Sequence, residues 1–130
     1  GAAPQVRVHH ALFGTLRSLA AVGKVILVGR AGVCATRGMP GGVHVRLVGS
    51  RGKRVERVAA RLGGDRGKAA AWVDEQDRTR TALAKDYFGQ DLADPLLYDA
   101  VFNTDAARVE ATASAVADLV LAKEPATLRS

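Results

Sequence analysis

Five charged groups fall within the seven residues from Asp74 to Arg80, and the centre of that run is Asp77-Arg78-Thr79-Arg80. On a helix, Asp74 lies four residues before Arg78 and Asp77 three before Arg80, so both pairs can close as local salt bridges worth about 0.2–0.5 kcal/mol each. A solvated helix face is one explanation of the cluster; a movable arm that closes over a nucleotide is the other. The second cationic candidate is Arg30, in Gly29-Arg30-Ala31-Gly32 directly after the apolar run Val25-Ile26-Leu27-Val28. Ligands of open α/β sheets sit at the carboxyl ends of strands, and the planar fork of an arginine grips phosphate through two parallel charge-assisted hydrogen bonds. The plain alternative is an ion pair between Arg30 and an acid of the second half.

Other chemistries find no support. A phosphate loop needs Gly-x-x-x-x-Gly-Lys-Ser/Thr between a strand and a helix. The nearest imitation, Gly63-Gly64-Asp65-Arg66-Gly67-Lys68-Ala69, has the wrong glycine spacing, no hydroxyl after the lysine, and a position between helices. A helix-to-helix turn explains it. Gly-x-Gly-x-x-Gly is absent as well. His9, His10 and His44 show no metal spacing with Cys34 or with an acid cluster, and adjacent histidines point to different helix faces, so no metal site is expected. Cys34 has no base nearby and fits a small loop or core residue better than a nucleophile.

The elements that must position these groups follow from periodicity. Val8, Leu12, Leu16 and Leu19 form one stripe of a first helix, which Gly23 ends. Val25–Val28, with no polar alternation, suits a parallel strand covered on both faces. Residues 29–42, rich in glycine, predict an irregular loop. Val43, Val45 and Leu47 alternate with polar residues as a second strand. Val55, Val58 and Leu62 mark a helix whose other face carries Lys53, Arg54, Arg57 and Arg61, and Gly63-Gly64 stops it. A long helix over about 66–88 places Ala69, Trp72, Leu83 and Tyr87 on a packing arc, with Asp74, Asp77, Arg78 and Arg80 on a separate arc of about 160°. Trp72, Tyr87 and Phe88 are expected in the core. After the break at Asp91–Pro95, Tyr98–Asn103 predicts a strand. Asn103, Thr104 and Asp105 then offer caps to a last helix with Val109, Ala113, Val116 and Val120 on one side. Strands alternating with helices predict an α/β layered fold with a mainly parallel sheet. One domain over 1–130 is expected, with a loose tail over 123–130.

Composition narrows the classes. With 130 residues, 48% of them hydrophobic and 25% charged, the chain has the makeup of an ordinary globular domain. One cysteine forms no internal disulfide and fits a reducing cytoplasm. No apolar run approaches the roughly 20 residues that span a bilayer, and a signal-peptide pattern is lacking. The net charge of +6 is uneven: residues 1–64 hold 11 basic groups against the single acid Glu56, whereas residues 65–130 hold 8 basic and 12 acidic groups. A basic surface for nucleic acid or an acidic partner is thus a competing function, acting by counterion release. Few aromatics and no helix-turn-helix, RNA-recognition or zinc motif argue against specific nucleic-acid readout. An exposed sheet edge pairing with a second copy is a further alternative.

In order and spacing, Val25–Gly32, Val43–Val48, Lys53–Val58, Asp77-Arg78-Thr79-Arg80, Tyr87-Phe88-Gly89 and Asp94–Thr104 together resemble the cytidylate kinase-like family of nucleoside monophosphate kinases. The resemblance implies a P-loop kinase fold in which ATP and magnesium phosphorylate a nucleoside monophosphate. It implies that Arg30 and Asp77 bind the acceptor nucleotide, with Asp77 near the ribose. It also implies that Arg78 and Arg80, in a helical lid over 66–88, act catalytically on phosphate, Arg80 contacting substrate too. Ala31 stands where cytidylate kinases carry an aspartate that helps read cytosine, and Val73 where the lid motif opens with arginine, so the acceptor base stays open. Family members begin with a strand, the phosphate loop and its helix, and neither that strand nor the loop is in this chain. The expectation is an incomplete fold, a piece of a longer kinase inactive by itself, with a degenerate homologue as the alternative and ATP contacts unassigned.

Overall fold

In a computed structural model of the chain, the structure describes residues 4–29 and 31–123. The order is α1 (Pro4–Val22), α2 (Gly32–Ala35), β1 (Val45–Val48), α3 (Arg51–Arg61), α4 (Arg66–Phe88), a single 3-10 turn (Pro95–Leu97), β2 (Ala100–Asn103) and α5 (Val109–Lys123). The strands β1 and β2 pair in parallel, Val45 opposite Ala100 and Val48 opposite Asn103. Parallel neighbours need a crossover connection, and here the crossover is the α3–α4 pair.

Local chemistry sets the boundaries. The Ser50 side chain accepts the Lys53 N–H at 3.4 Å to cap α3, and the Asp65 carboxylate accepts the Lys68 N–H at 2.9 Å to cap α4. Both supply a partner for an otherwise orphaned first-turn donor. Gly89 closes α4 in the left-handed region at φ 62°, where a side chain would be strained. Asp94 accepts from Leu96 N–H at 2.9 Å, with Pro95 at the start of the 3-10 turn.

Two apolar seams hold the described part together, and α4 belongs to both. Near its start, Ala69 and Val73 pack against Val55 and Ala59 of α3, with Val58 and Ala70 alongside. Near its end, Ala84 joins Ala31 and Cys34 in a second buried cluster, flanked by Val33, Leu83, Phe88 and Leu92. Alanines on both seams let the backbones approach closely. Phe13 of α1 meets Phe88 with ring centroids 4.6 Å apart, and His9 Nδ1 lies 2.9 Å from the Tyr87 hydroxyl.

Several expectations are corrected. Val25–Val28 is not a strand: no neighbouring backbone among the described residues pairs with it, and Ile26 and Val28 are 90% and 87% exposed. The sheet is therefore two-stranded among the described residues. Within the expected loop 29–42, the short helix α2 forms because Cys34 and Ala35 bury against α4 and α1 neighbours, and Arg17 donates to the Ala35 carbonyl at 2.8 Å. On α1 the packed side is His9, Leu12, Phe13 and Leu16, while Val8 and Leu19 are exposed. Trp72 is half exposed because Val73, one position on, takes the seam with α3. On α5 the half-buried residues are Thr112, Ala115, Val116 and Leu119, so Val109, Ala113 and Val120 lie off the packed side. The tail beyond Lys123 is outside the described residues.

At the start of the strands, the Thr36 hydroxyl donates to the Gly32 carbonyl at 2.7 Å, so its oxygen accepts from His44 Nε2–H at 2.8 Å. Burial lowers the His44 pKa against the pull of Asp99, and Lys123 lowers it further. A histidine held neutral by folding stabilises the fold above its unfolded pKa, near 6.5, and that stability is lost as pH falls through and below it. The urea midpoint is expected to drop between pH 7.5 and 5.5, and to drop less in His44→Gln; equal drops would contradict this. Val73, 2% exposed, is the largest fully buried side chain. Val73→Ala is expected to cost about 2 kcal/mol in urea denaturation, and a loss under about 0.5 kcal/mol would place the core elsewhere.

Candidate functional site

Helix α3 carries cations to two places. Along one side, Arg51 grips Asp74 with two hydrogen bonds, Nε–Oδ1 at 3.0 Å and Nη2–Oδ2 at 2.9 Å. One turn on, Arg54 grips Asp77 with a second fork, this one end-on, Nη1–Oδ2 at 3.0 Å and Nη2–Oδ1 at 2.5 Å. The result is a pair of rungs between α3 and α4. Arg80 also approaches Asp77, Nη2 to Oδ1 at 3.8 Å, and Arg78 is taken by Glu75. The hydrogen bond from Arg54 holds the Asp77 carboxyl below its usual range, and that from Arg51 does the same for Asp74. Asp77 thus stays an anion throughout the neutral range, fixed between two guanidinium groups.

Of the residues singled out in the sequence, Asp77, Arg78 and Arg80 lie together on α4. The expected Asp74–Arg78 pair is replaced, because the fork of Arg51 reaches Asp74 from across the helix pair; the expected Asp77–Arg80 pair is present. Arg30 lies outside the described residues. Its neighbour Ala31 sits in the left-handed region at φ 55° and is buried with Cys34 and Ala84. A non-glycine residue there stores about 1–2 kcal/mol of strain. Ala84 is one turn beyond Arg80 on nearly the same face of α4, so the fold brings the backbone next to Arg30 toward the Asp77–Arg80 end of the charged run.

The second place is a cleft of about 400 Å³ at the carboxyl ends of the two strands, lined by Lys53, Glu56, Arg57, Ala60, Thr104 and Asp105. Asn103, Thr104 and Asp105 do not cap α5, which starts only at Val109. They build a turn instead: Asn103 Oδ1 accepts the Asp105 N–H at 2.9 Å, and Thr104 donates through its N–H and hydroxyl to the Val48 carbonyl at 2.7 and 2.9 Å. Asp105 Oδ2 accepts the Ser50 N–H at 2.9 Å. The Ser50 hydroxyl and N–H, with Lys53 and Arg57 at longer range, hold the Asp105 carboxyl below its usual range. Asp105 Oδ1 is buried without a hydrogen-bond partner. Sequence reasoning read Thr104 and Asp105 only as candidate caps and gave Gly49 and Ser50 no role in a site; the available signal was that both sets follow parallel strands directly, where α/β sheets hold ligands.

Among the described residues no three His, Cys, Asp or Glu side chains could together hold a metal ion. The sequence holds no phosphate-loop motif, so none of its residues is assigned to the phosphates of a magnesium-bound nucleotide. Among those residues no helix is long and apolar enough to cross a membrane.

Gly49 is where the strand end and the turn touch. A Cβ there would lie 2.8 Å from Thr104 Oγ1 and 3.1 Å from both Asp105 Oδ1 and Arg57 Nη2. Gly49→Ala is expected to cost about 1–3 kcal/mol in urea denaturation through this crowding, whereas Gly52→Ala, which meets nothing within 4 Å, is expected to be neutral or stabilising. Equal effects would contradict the close approach.

No curated protein matches the chain at a significant level. Among solved structures, the crystal structure of an uncharacterized protein from Eubacterium ventriosum matches with a TM-score of 0.80 at 18% identity, over 91% of this chain and 74% of that one. At that identity the likeness concerns the fold. A family profile described as the cytidylate kinase-like family matches residues 2–106. That span takes in α1 through the turn after β2, including the two Arg–Asp rungs and the strand-end cleft, and by it the chain belongs to the cytidylate kinase-like family.

Proposed function

We propose that the chain is the acceptor-binding portion of a nucleotide kinase, in which a nucleoside monophosphate lies against Asp77 and Arg80 on α4. The observation that carries this reading is the family match together with the state of Asp77, a permanent carboxylate set between Arg54 and Arg80. A carboxylate so placed accepts hydrogen bonds from neutral hydroxyls such as those of a ribose, while arginines answer the charge of a phosphate. Arg30, which follows the run Val25–Val28 in the sequence, is assigned to the acceptor by the family resemblance; Arg78 joins when it leaves Glu75. A layered P-loop kinase fold, ATP with magnesium as phosphoryl donor, and a cytoplasmic location belong to the same proposal.

Phosphoryl transfer asks little covalent chemistry of a protein; positioning and charge stabilisation supply most of the rate. In this chain Arg54 positions Asp77, Arg78 and Arg80 offer positive charge to a transferring phosphoryl group, and closure of α4 excludes water. The chain's own residues provide no cradle for the donor phosphates, so no donor step is assigned to them. The acceptor base is a CMP-like pyrimidine by family alone.

Isothermal titration of the chain with CMP, UMP, AMP and ATP tests this. Heat with at least one monophosphate is expected, weakened about tenfold in Asp77→Asn, the loss of one charge-assisted hydrogen bond. No turnover with ATP is expected from these 130 residues alone. Absence of heat with every nucleotide, or heat unchanged in Asp77→Asn, would overturn the reading.

A further inference from the structure

Helix α3 has more cations than its neighbours neutralise. Arg51 and Arg54 are spent on Asp74 and Asp77, and Glu56 pairs with Arg66. Lys53, Arg57 and Arg61 form no ion pair among the described residues; Lys53 and Arg57 feel Asp105 only at longer range. All three are exposed. They are spaced four residues apart, so they rise along one side of the helix at about 6 Å per step, about 12 Å in all. A row of unneutralised charges at regular spacing complements a polymer that carries one opposite charge per repeat.

The row ends beside an aromatic face. Trp72 is 50% exposed and, with Val58, Arg61 and Leu62, lines a cleft of about 190 Å³ between α3 and α4. Leu62 is exposed as well. An indole left half in water next to a guanidinium is a flat, apolar platform with a cation at its rim. Proteins that hold single strands without sequence preference combine these two features, a cationic track for the backbone and aromatic rings on which bases stack. An acidic polypeptide would use the cations and leave the indole face unexplained.

We infer that Lys53, Arg57, Arg61 and Trp72 form a docking surface for single-stranded nucleic acid, bound through its phosphates and through stacking of one base on Trp72. The surface reads no sequence, in keeping with the lack of any base-reading motif. It runs from the strand-end cleft along α3 to Trp72 near the start of α4, and shares no residue with the acceptor site proposed at Asp77 and Arg80.

Trp72 is the one tryptophan in the chain, so its fluorescence reports on this surface. Titration with an oligothymidylate of about 12 nucleotides, a length one such site can cover, is expected to quench that fluorescence. The logarithm of the affinity should fall against the logarithm of salt with a slope of about −2, as three phosphate contacts to a single strand require. Each of Lys53→Gln, Arg57→Gln and Arg61→Gln is expected to flatten the slope by about 0.7. With a labelled oligonucleotide followed by anisotropy, Trp72→Ala is expected to bind about tenfold more weakly. Trp72→Phe, which keeps a stacking ring and guards against a folding defect in the alanine variant, should bind nearly as well as the parent. An unchanged tryptophan signal, a salt slope that the three glutamine variants do not move, or binding unaltered in Trp72→Ala would overturn the proposal. So would polyglutamate binding as tightly as the oligonucleotide, which would assign the surface to an acidic protein, or inorganic polyphosphate doing so, which would leave stacking without a role.

Discussion

The packing of α3 on α4 is the constraint from which the rest of the described structure follows. Its inner part is a small apolar seam of Val55, Ala59, Ala69 and Val73, and its outer part is the two Arg–Asp rungs. The division of labour is set by magnitude. Burying side chains of this kind stabilises by about 1.5–3 kcal/mol for a valine, whereas solvent-exposed Arg–Asp pairs contribute little. The seam therefore holds the helices together, and the rungs fix their rotation and register. Slip either helix by one residue and both forks lose their carboxylates.

That register has consequences at both ends of the pair. Because Ser50 caps α3 immediately after β1, the N-terminus of the helix is tied to the strand ends, and Asp105 in the turn after β2 is held by the Ser50 N–H. Because α4 is 23 residues long, it carries the same alignment to Ala84, where Ala31 and Cys34 dock. The helix pair thus links the strand-end cleft on α3 to the charged run on α4 and to the cluster of Ala31, Cys34 and Ala84. The uneven charge of the chain takes on a physical sense here: cations of the first half meet acids of the second across α3 and α4, and of the α3 cations Lys53, Arg57 and Arg61 have no ion pair among the described residues.

Much of this was legible in the residues. The caps Ser50, Asp65 and Gly89 were not read as such, but the spacing of Val55, Val58 and Leu62 before Gly63-Gly64 and the periodicity of 66–88 place α3 and α4, because helical periodicity is a local signal. The charged arc of Asp74, Asp77, Arg78 and Arg80 was legible for the same reason. What local patterns do not carry is partnership. Nothing in the spacing of Asp74 distinguishes Arg78 on its own helix from Arg51 on another, and only the packed seam makes the second choice. Val25–Val28 has the composition of a buried strand, yet a strand exists through its ladder, and no described backbone pairs with it. Trp72 shows a third limit: a hydrophobic arc about 60° wide cannot say whether Trp72 or Val73 faces the neighbour, and the smaller residue fits the alanine-lined seam. The strand-end cleft escaped notice because Gly49, Thr104 and Asp105 meet over more than 50 residues of sequence, although each follows a strand directly.

The central claim is that the α3–α4 register holds Asp77 and Arg80 where a nucleoside monophosphate binds. Titration of the isotope-labelled chain with CMP, followed residue by residue by NMR chemical shifts, tests it most directly. The expected result is a set of saturable shifts centred on residues 77–80 and on the segment around Arg30, with α1 and α5 unmoved. Shifts that spread evenly over the basic residues, or that centre on residues remote from Asp77, would contradict it.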